Sequence, residues 1–115
     1  MTNKTIARAF SNGEFEKVYE FIADNAVWEV VEENTFHGRQ AIIDNCKQVA
    51  AYFQTVTTRF EILNVISEDN RVAVNGTAEF LREGKRVSFV KASDLYEFND
   101  QQHIQKITSY CIQAK

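Results

Sequence analysis

The 115-residue sequence has no proline, only four glycines, two cysteines and two histidines, and it contains neither a Lys/Arg block nor a long apolar run. Each shortage excludes something. Without proline and with so little glycine, the chain is neither a Pro-rich linker nor collagen-like, and 44% hydrophobic with 25% charged residues argues against disorder. With 16 acidic and 13 basic residues scattered along it, the chain has a net charge of -3 and no footprint for nucleic acid or an anionic membrane surface. No segment has the length of a membrane span, and Met1-Thr2-Asn3-Lys4-Thr5 lacks the apolar run of a signal peptide, so a cytoplasmic protein is expected. Cys46 and Cys111 lie far apart in segments of different predicted structure, which favours free thiols. His37 and His103 stand at no ligand spacing from a Cys, Asp or Glu pair, and Gly38, Gly76 and Gly84 make no phosphate cradle. Neither a metal nor another cofactor is implied.

What is present changes period halfway along. Ile6, Ala9 and Phe10, then Phe15, Val18, Tyr19 and Ile22, recur at helical spacing on either side of Ser11-Asn12-Gly13, which predicts two short helices meeting at a turn. Ala26 to Val31 reads as a strand and Glu32-Glu33-Asn34-Thr35 as a loop, and a third helix is expected from Arg39 to Phe53 with Ile42, Ile43, Cys46, Val49, Ala50 and Phe53 on its apolar side. Thr57 to Ile66, Arg71 to Leu81, Lys85 to Phe98 and His103 to Ile112 are strand-like and joined by short polar turns, as in an antiparallel sheet. One α+β domain over residues 1–115 follows, its helices covering one sheet face. The sheet segments are long, so they are expected to twist and curl around the helices into a cone with a small-molecule cavity at its open end.

Four stretches carry a family resemblance: Phe10-Ser11-Asn12-Gly13-Glu14-Phe15-Glu16, Ile22-Ala23-Asp24-Asn25-Ala26-Val27-Trp28, Phe36-His37-Gly38-Arg39-Gln40-Ala41-Ile42, and Asp94-Leu95-Tyr96-Glu97-Phe98-Asn99 leading into Ile104-Gln105-Lys106-Ile107. In order and spacing they resemble the NTF2-like superfamily, particularly its SnoaL-like and ketosteroid-isomerase-like members. The resemblance spans nearly the whole chain. It implies a cone-shaped α+β barrel, with three N-terminal helices packed on a strongly curved antiparallel sheet around a deep pocket. That scaffold is shared by isomerases, dehydratases, cyclases, hydrolases and non-catalytic binding domains, so it specifies chemistry poorly.

By the same resemblance Asp94 falls on the isomerases' protonated Asp, which donates a hydrogen bond to a developing oxyanion because a low dielectric keeps it neutral. The isomerases' general base falls on Val30 and their oxyanion-hole Tyr on Ile6, neither of which can do that chemistry. Steroid isomerisation by that mechanism is therefore not expected. Strand alternation puts Trp28 on one face with Val30, and the resemblance implies that this face, and that of Ile107, Ser109 and Cys111 on the last strand, looks into the pocket. Asn75, Thr77 and Glu79 share one face of their strand; if that face looks into the cavity Glu79 is a candidate acid or base, and if it is solvated the pattern is ordinary half-buried alternation. Tyr19, Phe36, Phe53, Phe89, Tyr96 and Phe98 join Trp28 as aromatic candidates for the cavity lining or for plain core. Asp94 has structural alternatives too: fixed by Trp28, Ser109 or a backbone group, or left wet by the curled strand.

The expected function is binding of a small apolar or aromatic molecule, with isomerase, dehydratase or cyclase chemistry by acid/base catalysis. The rival is a non-catalytic ligand-binding or association domain. A homodimer through the outer sheet face is expected from the resemblance and from the outward positions Val27, Val31, Leu95, Tyr110 and Ile112.

Overall fold

The computed structural model describes residues 1–114. Helix α1, Asn3–Ser11, starts at Thr2, whose Oγ1 accepts the Thr5 amide at 3.2 Å and so satisfies one free N–H of the first turn. Its buried stripe is Ile6, Ala7, Ala9 and Phe10. The chain turns at Gly13, where φ is +79° and an added Cβ would stand 3.2 Å from the Phe53 ring, and then forms a 3-10 helix, Phe15–Phe21. Strand β1, Ile22–Val30, follows, then a short β2, Asn34–His37, before helix α2, Arg39–Phe53. Four long strands complete the chain: β3, Thr57–Glu68; β4, Arg71–Arg82; β5, Lys85–Phe98; and β6, Ile104–Gln113.

The expected architecture needs correction in several respects. The sheet is mixed, because β1 runs parallel to β6 while all its other pairs are antiparallel. A parallel pair is possible here because the two strands are joined through the rest of the fold and not by a hairpin. Nor is the sheet a closed or strongly curved cone. Its order is β2-β1-β6-β5-β4-β3, an open sheet with β2 and β3 as unpaired edges. The strand length that suggested closure is absorbed locally, at register shifts between Ile62 and Asn64, between Phe80 and Leu81, and between Glu97 and Phe98. Asn34 and Thr35, expected in a loop, belong to β2.

The helices cover one face of this sheet. The core between them contains Ile6, Val18, Ile42, Cys46, Val72, Tyr96, Ile104 and Ile107, all with no exposed surface, and each such aliphatic side chain contributes about 1.5–3 kcal/mol by leaving water. The edges are protected differently: β2 is only four residues long, and β3 bulges at Leu63 and carries Arg59, Glu61 and Glu68. Beside that bulge a Cβ on Gly76 would collide with the Glu61 carbonyl of the neighbouring strand. Gly76→Val should therefore cost about 1–3 kcal/mol or more, measured as a lower denaturant midpoint; an unchanged midpoint would show that β3 can move aside.

Candidate functional site

Successive cross-strand rows build the site. Val30 on β1, Ser109 on β6, Asp94 on β5 and Val74 on β4 pair in sequence across the sheet and face the helices. The next row is Cys111, Ala92, Gly76 and Ile62, and the one after it brings Val90 and Ala78 against Phe60. Glycine, alanine and cysteine in adjacent rows cannot fill the space beneath the helices. An open cavity of about 320 Å³ results. Phe10, Phe15, Val49, Phe53, Phe60 and Phe80 wall it on the helical side and at one end, with Phe53 5.5 Å from Phe60 and 5.8 Å from Phe80 between ring centres.

Asp94 is the one carboxyl set among these apolar rows. Burial pushes its pKa up from the ordinary aspartate value, and hydrogen bonds from Ser109 and Ser11 pull it down. Ser11, the last residue of α1, donates its hydroxyl to Asp94 Oδ2 at 2.8 Å and lies 2.6 Å from the Tyr96 hydroxyl. Trp28 Nε1 donates to Ser109 Oγ at 2.9 Å, which leaves the Ser109 hydrogen free for Asp94, its cross-strand partner. The other cavity carboxylates, Glu33 in the β1–β2 turn and Glu61 on β3, are exposed. Cys111 lines the cavity as well, and burial pushes its thiol to about 11, so it is a neutral thiol and a poor nucleophile at pH 7. Among the described residues no Lys, Arg or His lines the cavity, and no group of His, Cys, Asp and Glu is arranged to hold a metal ion.

Of the residues singled out in the sequence, the fold brings Asp94, Trp28, Val30, Phe53, Ser109 and Cys111 together at the cavity. It takes the others elsewhere. Glu79 points to the outer face, where Arg86 holds it at 2.6 Å and Arg59 at 3.6 Å. Asn75 lies on that face too, accepting from Asn64 Nδ2 at 2.9 Å, and Phe89 lies under the Arg86 guanidinium at 4.5 Å. The outward set on β4 is thus the polar one: Val74, Gly76, Ala78 and Phe80 line the cavity, and of the other set Thr77 borders it. Tyr96 and Phe98 are core, Phe36 packs on Trp28 at 5.6 Å, and Tyr19 borders a separate surface groove with Lys47 and Ala50. Sequence reasoning missed Ser11, whose place in a Ser-Asn-Gly turn signals only a helix end, and it missed Phe60 and Phe80 as walls.

The SnoaL-like domain family model matches residues 4–108. An NTF2-like protein of unknown function from Cytophaga hutchinsonii superposes with a TM-score of 0.81 at 31% identity, over 94% of each chain. An LEH-like epoxide hydrolase from M. tuberculosis gives 0.72 at 17% identity over 96% of this chain and 82% of its own. A candidate isomerase of the SnoaL-like family from Agrobacterium tumefaciens gives 0.71, also at 17%, over 97% and 99%. At that identity the hydrolase and the isomerase show a common fold alone. No curated protein matches the sequence.

Proposed function

Because the chain belongs to the SnoaL-like domain family of the NTF2-like superfamily, we propose that its cavity takes a small, mainly apolar molecule bearing a carbonyl oxygen. Asp94 donates a hydrogen bond to that oxygen and serves as the acid of an isomerisation, dehydration or cyclisation. The observation that carries this reading is the placement of one buried carboxyl, its pKa raised by that burial, among the apolar rows of the cavity wall. A neutral acid there stabilises negative charge developing on the carbonyl oxygen, and the surrounding low dielectric strengthens the effect. Trp28, through Ser109, and Ser11 hold the carboxyl in place from either side.

The charge of the lining narrows the ligand class. Among the described residues Glu33, Glu61 and Asp94 are its ionisable carboxylates and no cation answers them, so an anionic ligand meets like charge without a counterion in that set. A neutral aryl ketone should bind at least about tenfold more tightly than its carboxylate isostere, a difference of about 1.4 kcal/mol, in isothermal titration at pH 7. Equal affinities would contradict the assignment.

A second reading, a binding domain without turnover, is favoured because among the described residues no base opposes Asp94 within the apolar walls: Glu33 and Glu61 stand exposed, and Glu79 is outside. Deuterium exchange next to the carbonyl of a bound cyclic ketone separates the two. Exchange that depends on Asp94 supports catalysis; saturable binding without exchange supports a carrier or sensor.

The homodimer and the cytoplasmic setting belong to the same proposal. Tyr110 and Ile112, 52% and 66% exposed on the outer face, support the first, and the free thiols Cys46 and Cys111 support the second. Among the described residues no helix is long and apolar enough to cross a membrane.

A further inference from the structure

Three oxygen atoms lie in a row behind the cavity wall: the Tyr96 hydroxyl, Ser11 Oγ at 2.6 Å from it, and Asp94 Oδ2 at 2.8 Å from Ser11. Tyr96 has no exposed surface, and Ser11 is its one side-chain hydrogen-bond partner among the described residues. The row has two gaps and so accommodates two hydrogens. The Tyr96 and Ser11 hydroxyls already supply both, Tyr96 donating to Ser11 and Ser11 donating to Asp94. A proton placed on Oδ2 would be a third. It would force Ser11 to turn its own hydrogen toward Tyr96 and leave the tyrosine hydrogen buried without an acceptor, which is costly.

We propose that Tyr96 is a positioning residue that fixes where Asp94 carries its acid proton: acting through Ser11, it reserves Oδ2 as an acceptor and confines the proton to Oδ1. This inference rests on the reading of Asp94 as the acid of the cavity and adds the device that aims it. A carboxyl that could be protonated on either oxygen would spend part of its neutral population donating to Ser11, away from a ligand. With Oδ2 closed by the Tyr96–Ser11 pair, a neutral Asp94 carries its hydrogen on Oδ1: Ser109 holds the Trp28 N–H and lines the open cavity, so its own hydrogen can turn away into that space, as the fully buried tyrosine hydrogen cannot.

The groups around Asp94 leave the titration readable. Tyr96 is raised well above the ordinary tyrosine range by burial, with the Asp94 charge adding to it, and burial takes Cys46 on α2 to about 12 and Cys111 on β6 to about 11. All three stay neutral through the acid range. Among the described residues Glu33 and Glu61 are the remaining titratable groups of the cavity, and α1 presents Phe10 and Ser11 to it.

The test is a carbon NMR titration of protein labelled at the aspartate carboxyls, with Asp94 identified as the resonance missing from Asp94→Asn. In Tyr96→Phe the carboxylate loses the support relayed through Ser11 and the neutral acid gains Oδ2 as a second site. Both raise the Asp94 pKa. The expected result is a threefold or larger rise in the neutral-to-ionised ratio at a fixed pH inside the transition. Ser11→Ala should produce a rise of its own, and adding Tyr96→Phe to it should produce none, because the coupling runs through the serine. An unchanged titration in Tyr96→Phe, or an equal effect of that change in the Ser11→Ala background, would show Tyr96 to be core filling only. Should Tyr96→Phe fail to fold, Ser11→Ala decides alone: a titration identical to wild type overturns the relay. Ligand binding is read separately in the same samples. If Tyr96→Phe shifts Asp94 while no ketone perturbs it, the relay stands and the ligand reading fails.

Discussion

Asp94→Asn is expected to be more stable than the wild type at pH 7 and about 10²- to 10⁴-fold slower in any proton transfer that the cavity performs. Both effects have one cause. The native state raises the Asp94 pKa through burial, so in the interval between the unfolded value, about 3.9, and the higher native value the folded protein keeps a proton that the unfolded chain releases. There the unfolded state binds fewer protons, and stability falls as pH rises. The contribution of Asp94 is fully present below the unfolded pKa and is lost as pH rises through the native one. Asparagine has the shape of the neutral acid and no charge to bury, and it still accepts from Ser11, so it escapes that loss. Subtracting the stability of the two proteins across pH 3 to 9 cancels every other carboxylate. The difference should be near zero in acid and grow in favour of the variant as pH rises. A difference that grows in the opposite sense would mean that Asp94 is a stabilising carboxylate, and the assignment of an acid would fall with it.

Ala92→Trp is expected to weaken ligand binding by at least about a hundredfold, equivalent to about 2.8 kcal/mol, while leaving the fold intact. Ala92 pairs with Gly76 on one side and Cys111 on the other, in the row of small residues whose shortage of volume makes the cavity. An indole there points into space that is already empty, which separates this change from ordinary overpacking of a filled core. Calorimetric titration with the aryl ketone, together with the thermal midpoint, checks both halves. Unchanged affinity at an unchanged midpoint would move the ligand elsewhere, and the groove between the 3-10 helix and α2, lined by Tyr19 and Lys47, would be the place to look next.

The sequence made some of this legible and hid the rest for identifiable reasons. Helix α2 and strand β5 were readable to the residue, because a broad apolar face at helical spacing and a long run rich in β-formers each leave little choice of period. Strand β2 was not, since Asn34-Thr35-Phe36-His37 is short and mostly polar and becomes a strand only by pairing with Val27 to Val30. The open, mixed sheet was hidden as well: strand length alone does not distinguish closure from local bulges, and no local pattern reveals that β1 will lie parallel to β6. Alternation on β4 separated its faces but could not say which one the helices would cover; the pairing of Glu79 with Arg59 and Arg86 decides it, and those partners come from different strands. At the site, Asp94 was conspicuous as an acid in an apolar strand. Its partner Ser11 lies 83 positions away and is made by the docking of α1 onto the sheet, which no spacing rule encodes.

The most direct measurement of the central claim is the carboxyl titration of Asp94 in the wild-type protein, free and with saturating aryl ketone. The account predicts a midpoint displaced upward from the ordinary aspartate value, and a further change when the ligand occupies the cavity. A midpoint at the ordinary aspartate value, unmoved by any ligand, would contradict it.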